Sequence, residues 1–230
     1  GLIEPVLIGD AARMKEILAE LGTAIDEMYD IPDVDAAAAF AVQLVNEGRG
    51  DIILKGKLET KEILRPVVNR ETGLSNGNTM SFIAINEVPW YHKLIFITDG
   101  GMMTYPTVEQ KRDEINNAVR AMRNMGYTKP KVAVLAAVEI VNPKMPETVD
   151  GALLKQMNQR GEIPDCIVEG PISFDIALRE ESARVKGFVS EVAGDADLLV
   201  VPNIHCGNML GKCMVESGGK MVGLVLGAKA

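Results

Sequence analysis

The chain has 230 residues, enough for one large domain or two smaller ones with buried cores of their own. Hydrophobic residues make up 47% and charged residues 24%, the balance of an ordinary soluble globular protein, which excludes a disordered chain or a tiny scaffold. The formal charge of −8 excludes a general nucleic-acid binder, whose surface must neutralise backbone phosphates, but leaves room for a small anion held by a local cluster of cations and backbone N–H groups.

In chain order, Pro5–Ile8 reads as a first strand, and Asp10 is placed to cap a helix through Leu21 that Gly22 closes. Asp33 precedes an Ala-rich helix to about Glu47, ended by Gly48. A strand is expected at Asp51–Leu54, then the loop Lys55-Gly56-Lys57-Leu58-Glu59-Thr60 and a helix bearing Arg65. Ser75-Asn76-Gly77-Asn78 is turn chemistry, and Thr79–Val88 is strand-like, read as an antiparallel excursion or an edge that Pro89 ends.

Leu94–Thr98 is the next strand, followed by Asp99-Gly100-Gly101. Thr107 with Gln110 forms a capping box, after which Ile115, Ala118, Val119 and Met122 share one helical face up to Gly126. Strands are then expected at Lys131–Val138, Asp165–Val168, Asp197–Val201 and Met221–Leu226, with Ser173 as the N-cap of the helix after the second of these. Short aliphatic runs alternating with amphipathic stretches predict an α/β protein built on mainly parallel sheets. The turn near residue 77 suggests a first α/β domain over 1–77, a second over 78–220, and a strand over 221–230 returning toward the first. The chain begins at Gly1 almost inside a strand and stops just after another, so residues are expected to be missing at both ends.

Cys166, Cys206 and Cys213 lack CxxC spacing and fit reduced thiols, and the two histidines cannot make a zinc site alone, so no metal is expected. No apolar run reaches roughly 18 residues and no basic-then-apolar leader is seen. Neither a membrane span nor a signal peptide is indicated, and cytoplasm is the expected compartment.

In an open α/β sheet, ligands sit beyond the carboxyl ends of strands, where loops meet helix N-termini. Five such ends carry unusual residues. Lys55 and Gly56 combine charge with close backbone approach, and Arg65, about a turn beyond Thr60, has the guanidinium geometry to grip a phosphate; a solvated surface is the competing explanation. Thr98-Asp99-Gly100-Gly101 offers an acid and unusual dihedrals, or simply a loop. Asn142-Pro143-Lys144-Met145-Pro146 is a stiff loop around one ammonium, and Gly170-Pro171 follows the strand at 165–168. The most specific is Pro202-Asn203-Ile204-His205-Cys206-Gly207-Asn208, where Gly207 opens close approach and Asn208 with the helix N-terminus supplies donors to an oxyanion. His205 is more often a satisfied loop histidine than a catalyst, and no base is identifiable for Cys206.

Together these segments resemble the phosphate acetyl/butyryltransferase family, in its phosphotransbutyrylase-like branch. The matching text is Leu-Ile-Gly-Asp at 7–10, Leu-Lys-Gly at 54–56 with Thr60 and Leu-Arg at 64–65, Thr-Asp at 98–99, and Thr-Tyr-Pro at 104–106. It continues with Val-Asn-Pro-Lys-Met-Pro at 141–146, Gly-Pro at 170–171, Asp-Ile-Ala-Leu at 175–178, and Pro-Asn-Ile and Gly-Asn within 202–208. The resemblance implies an isocitrate-dehydrogenase-like fold, two α/β domains with a cleft between them, and a homodimer. It also implies reversible conversion of acyl-CoA and phosphate to acyl phosphate and CoA, with coenzyme A as substrate or product and no permanently bound cofactor.

By the same resemblance, Lys55, Gly56, Thr60, Arg65, Thr98, Asp99, Asn142, Lys144, Gly170, Pro171, Asn203, Gly207 and Asn208 are the phosphate- and CoA-binding candidates, with Arg65 and Asn208 as catalytic ones. The family's Ser-Arg pair would fall after Ala230. Departures from the family pattern are Glu59, Met103, the His205-Cys206 pair, and Gly211 where a tyrosine is usual. Glu59, Met103 and His205 motivate one alternative, a CoA-binding paralogue without turnover. A metal- and NAD-dependent decarboxylating dehydrogenase of the same fold is the other, although the acidic ligands it needs are not found on any helix.

Overall fold

Alternation at a period of two organises the larger part of the chain: Leu198 and Val200 belong to one buried apolar cluster, whereas Leu199 between them belongs to another. Such a strand is apolar on both faces and must be covered on both, which demands helices above and below. In the computed structural model, which describes residues 3–229, that demand is met by one of two units. Residues through Asn78 group with 228 and 229, and Thr79–Gly227 form the other.

In the first unit, β1 (Leu7–Gly9) and β2 (Met28–Asp30) pair in parallel across α1 (Ala11–Glu20), a small βαβ unit. Asp10 caps α1 by accepting from the Arg13 N–H at 3.0 Å. Asp33 does the same for α2 (Val34–Asn46) through Ala36 at 2.8 Å, and α3 (Thr60–Val67) packs against α2. One expectation is corrected here. The strand at 51–54 does not form: no ladder partner pairs with it among the described residues, and Ile52 and Leu54 are 78% and 88% exposed. The sheet instead uses Met28–Asp30, three residues with too little apolar text to be read as a strand.

The second unit holds β3 (Ser81–Glu87), β4 (Ile95–Thr98), α4 (Val108–Asn124), β5 (Lys131–Leu135), α5 (Pro146–Gln159) and β6 (Ile167–Ile172). It continues with α6 (Phe174–Leu178), α7 (Glu180–Lys186), β7 (Leu198–Val200), α8 (Ile204–Glu216) and β8 (Lys220–Leu226). The sheet order is β6-β5-β7-β4-β3-β8, parallel through β4 and antiparallel at β3 on both sides, so the fold is α/β with a mixed sheet. The excursion expected over 79–88 is β3, but the edge is β8; it lies inside this sheet, so the strand expected to return toward the first unit is corrected. Ala230, at its expected end, lies outside the described residues.

Ile115, Ala118, Val119 and Met122 of α4 cover one face with Val132, Leu154 and Val168; Ile176, Ala177, Ala183 and Met214 cover the other with Ile97, Ala133 and Leu199. Each fully buried aliphatic side chain contributes about 1.5–3 kcal/mol, and Ile115, Met122, Leu198 and Leu199 are all buried completely. The Thr107–Gln110 capping box is present, with Thr107 N–H donating to Gln110 Oε1 at 2.9 Å.

At the amino ends of β4, β5 and β7, an ionic cluster fastens the parallel strands. Lys93 lies 2.6 Å from Asp197 and 2.8 Å from Asp195, Lys131 lies 2.6 Å from Asp195, and His92 meets the same carboxylate at 2.9 Å. Burial works against the Asp195 charge, but hydrogen bonds from Lys131, Lys93 and His92 outweigh it and hold this carboxyl well below the usual range. A depressed carboxyl adds stability that is present above its unfolded value, about 3.9, and lost as pH falls through the folded one. Asp195→Asn is therefore expected to cost about 1 kcal/mol near neutral pH, a modest figure because the side chain is 40% exposed. Urea unfolding checks this: the gap between wild type and variant should be present near neutrality and close as the solution is acidified below about pH 4.

Candidate functional site

The carboxyl ends of β4, β5, β6 and β7 share one side of the sheet, so the loops after them gather there. After β4, Thr98 and Asp99 are buried rather than open to ligand. The Thr98 hydroxyl donates to the Phe82 carbonyl at 3.0 Å. Asp99 Oδ2 accepts from the Phe82 N–H and Oδ1 from the Gly101 and Met102 N–H groups, each at 2.7 Å. Asp99 thereby ties β3 to the loop over 99–106, a role sequence reasoning left open between ligand and loop.

The segment after β7 departs most from expectation. The helix begins at Ile204, not after Gly207, and Asn203 caps it by accepting from His205 N–H at 3.1 Å and Cys206 N–H at 3.2 Å. The Ile204 N–H donates to the Thr104 carbonyl at 3.1 Å, and Gly207 N–H to the Asn203 carbonyl at 3.1 Å. The first-turn donors expected to serve an oxyanion are thus used within the chain. Asn208 sits one turn inside α8, exposed, with its amide 3.4 Å from the Gly100 carbonyl.

Gly207 does give close approach, but to backbone: a Cβ there would lie 2.7 Å from the Gly100 Cα and 3.0 Å from the Asp99 carbonyl. At the surface, His205 Nε2 meets the Tyr105 hydroxyl at 3.2 Å, with the ring centroids 5.8 Å apart. The loops after β4 and β7 are therefore one assembly, joined at Gly100–Gly207, Thr104–Ile204 and Tyr105–His205. The satisfied-histidine reading of His205 agrees with this geometry.

The other candidates are placed as follows. Asn142 organises its own loop: its N–H donates to the Thr148 hydroxyl at 2.8 Å, and its side-chain oxygen accepts from the N–H of the exposed Lys144 at 3.0 Å. Stiffness there comes from these bonds as well as from Pro146, the first residue of α5. Gly170 and Pro171 are not in a loop; both are buried inside β6, where Gly151 of α5 packs so closely that a Cβ on it would lie 2.9 Å from Pro171. There they serve helix–sheet packing.

In the first unit, Lys55 donates to the Leu58 carbonyl at 2.6 Å, and Glu59 N–H to Glu62 Oε2 at 2.7 Å, so the loop over 55–59 folds on itself before α3. Gly56 and Thr60 are exposed, and Arg65 is exposed with Asp35 3.8 Å away. Unlike the buried Thr98 and Asp99, Thr60 and Arg65 lie at the surface.

Missed from the sequence were Lys111 and Glu114, both buried on α4. The signal was there: they precede Ile115 and Ala118 by four residues and so carry charge onto the apolar stripe. Lys111 pairs with Asp150 of α5 at 2.7 Å. Burial and then the Asp99 charge push Glu114 up to about 8. Among the described residues, no group of three or more His, Cys, Asp or Glu side chains is placed to hold a metal, and no helix is long and apolar enough to cross a membrane.

The contact at Gly207 makes a sharp prediction. Ala would gain up to about 1 kcal/mol of helix propensity, but its methyl would press on backbone that cannot rotate away, costing about 1–3 kcal/mol. Gly207→Ala should therefore lower the urea midpoint. Gly211→Ala in the same helix should not, because its Cβ would meet only the end of the Met221 side chain at 3.4 Å.

Comparison with known proteins agrees with this arrangement. The family model described as phosphate acetyl/butaryl transferase matches residues 14–230. The chain is 41% identical over 230 residues to a phosphate butyryltransferase of Clostridium acetobutylicum, covering 97% of this chain and 76% of the relative. It is also 41% identical over 232 residues to a phosphate acetyltransferase of Rhizobium meliloti, covering 100% of this chain and 73% of that one. A crystal structure of a branched-chain phosphotransacylase from Enterococcus faecalis is similar with a TM-score of 0.83 at 29% identity, covering 98% of this chain and 90% of its own. With the same α/β architecture and this breadth of match, the chain belongs to the phosphate acetyl/butyryltransferase family.

Proposed function

We propose that the chain is a phosphate acyltransferase that moves a short or branched acyl group between coenzyme A and inorganic phosphate. The observation that carries this reading is the family match over residues 14–230, with equal identity to a butyryl- and an acetyltransferase. A phosphate oxygen attacks the thioester carbonyl carbon, the carbonyl electrons move onto oxygen, and their return expels the CoA thiolate, which takes up a proton. Such a step needs a positioned phosphate and donors toward the developing oxyanion.

Arg65 is the side chain best suited to hold the phosphate, being an exposed guanidinium on α3, only loosely paired with Asp35 at 3.8 Å, with fork geometry for two oxygens. Lys55, Gly56 and Thr60 would complete that anion site, and Asn208, Asn203 and Lys144 are the corresponding groups on the second unit. Thr98, Asp99, Asn142 and Gly207 support those loops from within. The reading carries with it an isocitrate-dehydrogenase-like fold, a homodimer and a cytoplasmic setting. Coenzyme A enters as substrate or product, with no permanently bound cofactor, nucleic acid or membrane.

Mixing the chain with acetyl-, butyryl- or isobutyryl-CoA should release thiol only when phosphate is present. Binding of CoA by calorimetry without any phosphate-dependent release would replace this reading with a CoA-binding paralogue. Arg65→Ala should raise the KM for phosphate at least about tenfold, the equivalent of about 1.4 kcal/mol, and leave the KM for acyl-CoA less affected.

A further inference from the structure

Glu114 sits near the middle of α4 with its residue surface 0% exposed, and neither carboxyl oxygen has a hydrogen-bond partner among the described residues. The charges that act on it are those of Asp99, from the loop after β4, and of Lys111 and Asp113 of its own helix. All three are already engaged. Lys111 is held by Asp150 at 2.7 Å, Asp113 accepts from the Thr79 hydroxyl at 2.7 Å and from Arg112 at 2.8 Å, and Asp99 accepts from Phe82, Gly101 and Met102.

Glu114 and Asp99 are both buried carboxyl groups, and N–H donors converge on Asp99 whereas none reaches Glu114. A second negative charge would have neither solvent nor donor to stabilise it, and desolvation of an unpaired carboxylate is the costliest arrangement available. We propose that Glu114 is a positioning residue: its buried carboxyl keeps a proton, and loss of that proton, by repelling the Asp99 charge, loosens residues 99–106 and, through Gly100 and Thr104, the start of α8. The proposal rests on the acyltransferase reading for its effect on turnover, but not for its effect on the loop.

Burial, reinforced by Asp99, places the titration at about 8. A carboxyl raised in this way contributes stability that is full below its unfolded value, about 4.3, declines as pH rises, and is lost as pH rises through the folded value. Near pH 8 the loop should begin to open.

The test is hydrogen exchange of the Gly101 and Met102 amides, which donate to Asp99, in the full chain at about pH 6.5 and about pH 9, corrected for intrinsic rates. Wild type should lose protection at least about tenfold at the higher pH, whereas Glu114→Gln, which cannot ionise, should keep it. In thiol release from acyl-CoA, the wild type should show a fall in rate with a midpoint near 8 that Glu114→Gln lacks. Equal pH dependence of exchange in the two proteins overturns the proposal. A difference in exchange without any acyl transfer keeps it and removes the catalytic reading instead. Should Glu114→Gln fail to fold, infrared titration of the wild type decides: a protonated carboxyl band that disappears near pH 8 supports the proposal, and its absence at about pH 6.5 overturns it.

Discussion

The Asp99 carboxylate is the joint on which the functional end of the sheet depends. It is buried, it directly follows the last residue of β4, and its two oxygens gather N–H groups from β3 and from its own loop. An antiparallel strand inserted into a parallel sheet would otherwise leave the loop after β4 without a fixed exit. Charge-assisted bonds of this kind are about twice as strong as neutral ones, and burial shields them from solvent and salt.

From that joint the geometry propagates by contact. Asp99 sets Gly100, Gly100 presses on Gly207, and α8 starts where it must for that contact to close. Two glycines facing each other let backbone meet backbone, which no side chain at either position would permit. The cost is that the N-terminal donors of α8 are taken up by Asn203 and Thr104. These donors are therefore not open to an anion, whereas the Lys144 side chain of the same unit is exposed.

The departures from the family pattern acquire places. His205 is matched by Tyr105 on the neighbouring loop, so the atypical His-Cys pair sits in a contact that holds two loops together. Gly211 leaves space that the Met221 thioether partly reaches. Glu59 opens α3 beside Glu62 and pairs with Lys61 at 2.7 Å, which offsets part of the negative charge it brings to that loop. Nothing in the structure accounts for Met103.

Sequence periodicity alone determined the α/β class, the helices capped by Asp10, Asp33 and Thr107, and most strands of the larger unit, because caps and alternation are local and each signal lies within a few residues of its effect. The family was legible for the same reason: its motifs are short strings at strand ends. Tertiary structure alone decided that Asp51–Leu54 stays unpaired, that β8 is the edge, that Gly170-Pro171 is core, and that the donors of residues 204–207 are spent inside the chain. Each of these depends on a partner distant in sequence, such as Gly151 for Pro171 or Thr104 for Ile204, and a residue's own neighbours carry no record of which distant backbone will reach it first.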